Sequence, residues 1–405
     1  MCIKELLNIL AGSKKTKKIM TIANEQKDYT LKLSIFSSMI KLISTSFAFF
    51  LGIHLTNIQL SGYQIGILFA ISTITSIITV LPSGFSNDRV KSKHLIVIAL
   101  ILLGIEYLGL GLSKNFSLIM LLFLIGGIGE TIYNSSIDSL FLKSTNNEKI
   151  SQKISTYNIF RFLFIGLGII TAGSLLQIDI PFQKLFLGVA TLFFIGAIVG
   201  NFLLPNNAVF KIDLNSYKED ILQKKVIFFL LIMFLFAIHF GAETTSYGLF
   251  LKNNLGLNSF QTGLYMGIAI MTMALTSYLI PRTLKKWKVK YVLLFGLFVS
   301  GSGHILMTLK PAMLSGFFRI YHETGDAAMF FFLYYGMSKL FVTEKMGGST
   351  GVFQLATTLG ATIGALIFGP IGSIYGYHMP LIISGCTTLI AWIISTQVIH
   401  HFDHS

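Results

Sequence analysis

Four ionisable residues fall at helical spacing within an apolar stretch of this 405-residue chain: Arg319, His322, Glu323 and Asp326, at i, i+3, i+4 and i+7. On a helix they share one face. Carboxylates beside an imidazole and a guanidinium can hold a proton or a bound solute with an affinity set by their surroundings. A purely structural ion-pair cluster is the alternative. A second stripe, Glu130, Asn134 and Asp138 with Tyr133 alongside, runs at four-residue steps, and Arg161 lies at matching depth on the following segment. Asp138 and Arg161 are therefore expected to form a structural pair, and Glu130 to bind substrate or protons. A third group is His239 and Glu243, one helical turn apart and followed by Thr244, Thr245 and Tyr247. The sequence assigns no metal to it, because the paired histidines of a zinc helix are missing. Lys41 and Glu106 are read as lining a cavity or reaching for an interface. His304 is read as structural, and Phe330, Phe331 and Phe332 as packing or lipid-facing surface.

The surroundings make these residues notable. Hydrophobic residues form 53% of the chain and charged residues 12%, with a mean hydropathy of +0.72, against roughly 25% charged usage in soluble domains. A spanning helix needs about 20 apolar residues. Twelve stretches approach that: 33–58, 61–83, 94–112, 115–142, 154–176, 181–204, 226–251, 258–281, 290–309, 312–341, 348–374 and 378–399. Helices are required because lipid cannot satisfy open backbone groups. A charge at the bilayer centre costs about 2.5–3.5 kcal/mol on insertion scales, so those above call for a partner or a purpose.

The net charge of +14 would suggest nucleic acid on a soluble chain, but its placement points to orientation instead. Of 31 Lys and Arg, 24 lie in the N-terminal tail and alternate loops, only Lys114, Lys184, Lys252 and Lys310 lie on the other side, and Lys41, Arg161 and Arg319 lie within spans. This predicts a multi-pass protein of the cytoplasmic (inner) membrane with both termini cytoplasmic. The apolar run before Lys14, Lys15, Lys17 and Lys18 is short for a leader, and Cys2 and Cys386 do not suggest a disulfide framework or a cysteine metal site.

The chain also repeats. LSGYQIGILFAI (60–71) aligns with LNSFQTGLYMGI (257–268), pairing Leu60 with Leu257, Gln64 with Gln261, Gly66 with Gly263 and Ile71 with Ile268. Each copy opens the second span of a six-span half, an arrangement found in transporters. The predicted organisation is a cytoplasmic basic tail (1–32), an N-terminal half (33–204), a hydrophilic cytoplasmic linker (205–225), a C-terminal half (226–399) and a short cytoplasmic tail (400–405). The fold class is an all-α polytopic membrane protein, with twelve transmembrane helices in two pseudo-symmetric six-helix bundles.

The loop after the second span reads GFSNDRVKSKHLI. With Gly84, then Asp88 and Arg89 four residues on, Lys93 and Ile96, it resembles the signature loop of the major facilitator superfamily of secondary transporters. Lys91 stands where that family carries a Gly, and Ser92 replaces one of its basic pair. The resemblance implies a gate, in which Asp88 binds a helix N-terminus or a facing Arg while the cytoplasmic side is shut. The corresponding second-half loop, PRTLKKWKVK, keeps the bases and lacks the acid. The Gly-Pro signature of drug/proton antiporters is absent from the fifth span, although GALIFGPIG occurs in the eleventh. The family's fourth-span Arg is missing from LLFLIGGIGE, which moves any proton-coupling centre toward the tenth span.

These observations predict a secondary active transporter of a small organic solute, proton-coupled, monomeric and without cofactor, working by alternating access. No Walker-type phosphate loop provides for ATP, and no HExxH motif provides for a membrane-embedded metalloprotease. Six acids against three bases within the spans favour export of cationic, drug-like or metabolite cargo. Arg161, Arg319 and Lys41 leave open the carriage of an anionic, siderophore-like carboxylate.

Overall fold

A computed structural model describes residues 28–398 apart from 49, 146–148, 179, 211, 213–214 and 285–287. Of the expected N-terminal tail (1–32), residues 1–27 lie outside the described residues, as does the expected tail 400–405; the first helix begins inside the former, at Thr30.

The described chain is helical throughout: α1 (Thr30–Ala48), α2 (Leu51–Asn57), α3 (Gly62–Arg89), α4 (Ser92–Leu112), α5 (Phe116–Ser144), α6 (Ile150–Gln177), α7 (Phe182–Leu203), α8 (Asn215–Ile221), α9 (Lys224–Ala242), α10 (Gly248–Asn253), α11 (Ser259–Thr283), α12 (Val289–Leu306), α13 (Ala312–Leu340), α14 (Met346–Tyr375) and α15 (His378–Val398). Among the described residues, ten helices are long and apolar enough to cross a membrane, two fewer than the sequence predicts. The two that fall short are α1, 19 residues long and followed by the separate seven-residue α2, and α13, which carries Arg319, Glu323, Asp326 and Lys339.

The internal repeat has a local cause. Ser61 caps α3 by accepting from the Gln64 amide while the Gln64 side chain accepts from the Ser61 amide. Asn258 and Gln261 do the same at the start of α11. The Gln shared by the two copies is thus the third helical residue of a capping box, which satisfies two backbone donors at an exposed helix start.

Within the first half α1 packs on α6, α3 on α5, and α4 on α5 and α7; within the second α9 packs on α14 and α15, α11 on α13, and α12 on α13 and α15. The halves meet where α6 lies along α11 and α3 crosses α14. Lipid offers no hydrophobic drive for such contacts, so close backbone approach must supply it. At Gly84 of α3 an added Cβ would stand 2.8 Å from the Cα of Gly351 on α14. The Ala variant at position 84 therefore forces the two backbones apart. We expect Gly84→Ala to speed thiol labelling of a cysteine placed at Ser349, which is 2% exposed; unchanged labelling would argue against this contact as a gate.

The seventh predicted span is interrupted. Between α9 and α10 the backbone takes one π-helical turn, Glu243–Tyr247. Such turns widen a helix locally and occur often at functional positions.

Candidate functional site

Asp88 is fully buried at the end of α3. Its carboxylate accepts the backbone N–H groups of Gly347 and Gly348, at 2.8 and 2.7 Å, and so caps the N-terminus of α14 in the other half. Lys143 of α5 pairs with it at 2.5 Å and donates to the Asn87 carbonyl at 2.7 Å. The facing cation is thus a Lys, where the sequence offered an Arg or a helix end. The linker joins in: Tyr217 of α8 donates to Asp88 at 2.6 Å, and burial together with that carboxylate raises the phenol's pKa above its usual value. Lys345 pairs with Asp220 at 2.8 Å. Arg89 donates to the Ile212 carbonyl, and Lys93 reaches the Asn201 carbonyl at 3.4 Å. Charge-assisted bonds of this kind are about twice as strong as neutral ones, and the α14 dipole adds to them. Two halves and the segment between them are therefore fastened at one carboxylate.

In the first half, Lys41 of α1 donates to Asn134 at 2.8 Å, with Glu130, Asp138 and Arg161 as its charged neighbours. Glu130 has an exposed side chain. Asp138 and Arg161 stand 3.9 Å apart. Their tighter partner is Tyr334, from α13 of the other half, which donates to Asp138 at 2.9 Å and accepts from Arg161 at 2.5 Å. Tyr157 also donates to Asp138, at 3.1 Å. Removing the Tyr334 hydroxyl leaves two half-buried groups short of a partner. Tyr334→Phe is expected to cost about 1–3 kcal/mol of stability, read as a lower unfolding midpoint in detergent; a midpoint equal to wild type would mean the bridge contributes nothing.

In the second half the groups read separately in sequence converge. Arg319, 2% exposed, donates to Glu243 of the π-turn, pairs with Glu323 at 2.6 Å and stacks on Tyr247 with the guanidinium 4.5 Å from the ring centre. His322 Nε2 lies 3.5 Å from both Glu243 and Asp326, and His239 Nε2 lies 3.3 Å from Asp326. His304 of α12 completes the group, its ring 4.7 Å from His322 and 5.3 Å from His239. Its place is set by backbone: a Cβ on Gly303 would meet the His322 Cα at 2.7 Å, and one on Gly325 the Ser300 amide at 2.2 Å, so α12 and α13 touch here without side chains between them. An isolated His in an apolar span gave no sign of this. The i, i+4 recurrence of Asp326, Phe330 and Tyr334 joins the two clusters along α13, about 12 Å end to end at 1.5 Å per residue. Phe330 packs between them against Phe162 and Phe240.

Apolar helices, two groups of helices meeting at a seam, a carboxylate latch and buried charge clusters beside that seam define a membrane transporter. Residues 33–338 match the sequence pattern of the Major Facilitator Superfamily, and the chain belongs to that family. No curated protein matches the sequence. Among solved structures, the human organic anion transporter MFSD10 (TETRAN) aligns at 14% identity and a TM-score of 0.71, over 90% of this chain and 98% of that one. A bacterial homologue of the iron transporter ferroportin, in an outward-facing state, aligns at 13% identity and a TM-score of 0.72, over 92% and 99%. A mutant of the nucleoside transporter NupG aligns at 16% identity and a TM-score of 0.66, over 91% and 99%. At such identities the likeness is one of fold.

Proposed function

We propose that this protein is a proton-coupled secondary transporter that moves a small solute by rocking of its two halves about a site near mid-membrane. The observation that carries this reading is the buried cluster on α9, the π-turn and α13, where Arg319 faces Glu243 and Glu323, and Asp326 faces two imidazoles. Ionisable groups in the membrane mark solute or proton pathways by default. Here they sit beside an interrupted helix, as carrier sites do.

The basic loops support an inner-membrane protein with both termini cytoplasmic, which puts the Asp88 latch on the cytoplasmic side. One guanidinium against three carboxylates suits cationic cargo, and we read the direction as export. The protein works as a monomer and catalyses no covalent chemistry. An anionic cargo, held by Arg161 and Lys41 in the first half, is the second reading; the 2.8 Å bond from Lys41 to Asn134 favours it by keeping an ammonium inside the bundle.

Purified protein in sealed vesicles, tested against a panel of organic cations, organic anions, nucleosides and metal ions with and without a pH gradient, decides the matter. Glu323→Gln and Asp326→Asn should each abolish gradient-driven movement while leaving the protein inserted. Full proton-linked movement by both variants would sink the coupling proposal.

A further inference from the structure

Three imidazoles and a carboxylate converge in the second half from different elements: His239 on α9, Glu243 on the π-turn, His304 on α12 and His322 on α13. One donor atom from each lies within 4.8 Å of all the others. The backbone orients two of the rings. The Nδ1 of His322 lies 2.8 Å from the Ser300 carbonyl oxygen, and that of His239 lies 2.5 Å from the Phe236 carbonyl oxygen. A carbonyl only accepts, so each Nδ1 carries a proton, and each Nε2 is turned into the cluster. This is how ligating histidines are commonly held, with the second ring nitrogen donating to a carbonyl. Both Nε2 atoms face carboxylate oxygens at 3.3–3.5 Å. A lone pair facing a carboxylate repels it unless a cation lies between.

We propose that this cluster binds a first-row divalent transition-metal ion as cargo, through His239, His304 and His322, with Glu243 and Asp326 supplying carboxylate oxygen. The binding stands on the geometry alone, and the role as cargo rests on the transporter reading above. Imidazole with carboxylate suits Zn²⁺, Co²⁺, Ni²⁺, Mn²⁺ and Fe²⁺ over Mg²⁺ or Ca²⁺. Metal–ligand distances of about 2.0–2.1 Å put tetrahedral ligands ~3.3 Å apart, close to the 3.3–3.5 Å separations at Asp326 and Glu243. With neutral imidazoles, Arg319 against Glu243, Glu323 and Asp326 leaves the two negative charges that a divalent ion cancels.

Protons alone account for the first two rings but not for the third. His304 is 0% exposed, and neither of its ring nitrogens has a hydrogen-bond partner. Its ring stands among the other two imidazoles and the Glu243 carboxylate, and a neutral ring there leaves its lone pair without a partner, whereas one metal ion would take a lone pair from each of the three rings. Glu243, with 20% of its side chain exposed, is the way in. It shares its Oε1 between Arg319 and His322, so an arriving ion competes with Arg319 for that oxygen. Occupancy is thereby tied to the π-turn.

The test is a Co²⁺ titration of the full-length protein in nanodiscs, followed by d–d absorption, together with Zn²⁺ retention after dialysis measured by mass spectrometry. We expect one ion per chain, an intense band from four- or five-coordinate cobalt, and at least tenfold weaker binding in His304→Gln and in Glu243→Gln. His54→Gln, which alters a buried histidine outside the cluster, should bind as wild type. In vesicles holding a zinc-sensitive dye, wild type should move Zn²⁺ and His304→Gln should not. Absence of stoichiometric binding by folded wild type would overturn the proposal, as would binding that folded His304→Gln and Glu243→Gln both retain. Binding without movement would overturn the role as cargo. The transporter reading fails separately, when no solute of the panel is moved by inserted, folded protein.

Discussion

Replacing Arg319 by Leu is expected to abolish transport and to destabilise the protein by about 3–5 kcal/mol, the range for removing one partner of a buried ion pair. The guanidinium is 2% exposed and holds Glu243 of the π-turn with one nitrogen and Glu323 of α13 with the other. Without it, two carboxylates remain in the membrane interior with no fixed cation. Arg319→Lys should recover only part of the loss, because a single ammonium replaces a planar fork that meets two carboxylates at once. The double variant Arg319→Leu/Glu323→Gln separates the roles: it should regain stability by removing one stranded charge, yet remain inactive. Thermal unfolding in detergent and vesicle transport measure the two effects, and a single Leu variant as stable as wild type would refute the account.

Asp88→Asn should have the next largest effect, on conformation more than on folding. The substitution keeps the shape of the side chain but removes the charge that pairs with Lys143 and caps α14. Lys143 has 2% side-chain exposure, and would be left buried with the Asn87 carbonyl as its remaining partner. A loss of about 3–5 kcal/mol, at 1.4 kcal/mol per factor of ten, changes the ratio of latched to unlatched protein about a hundredfold or more. The readout is labelling of a cysteine at Ser349 or Ser135 after Cys2 and Cys386 are changed to Ser, since Cys386 is exposed and would react. Labelling should rise steeply in Asp88→Asn. It should fall back toward wild type in Asp88→Asn/Lys143→Met, where the stranded ammonium is gone. Equal labelling in wild type and Asp88→Asn would remove the latch from the mechanism.

The elements of the fold were legible because lipid leaves a backbone few choices: apolar stretches of about 20 residues had to be helices. Two of the twelve predicted crossings, α1 and α13, are nevertheless not among the ten apolar helices found in the described residues, and α13 falls short because it carries the charges singled out first. The repeat around Gln64 and Gln261 was visible as a matched pair of letters. The capping boxes explain why those letters match.

At the latch, the sequence located Asp88 and the kind of partner it needs. Lys143, Tyr217 and the amides of Gly347 and Gly348 come from segments whose proximity no periodicity encodes. The same division holds in the second half. The sequence by itself determined that Arg319, His322, Glu323 and Asp326 share a face, and that His239 and Glu243 share another, because 3.6 residues per turn sets angle around one helix axis. Which faces oppose each other, at what depth and through what spacing, depends on helix–helix packing. Only the tertiary structure decided that the π-turn and the bare contact of Gly303 and Gly325 would bring His304 into the cluster, turning two stripes of charge into one site.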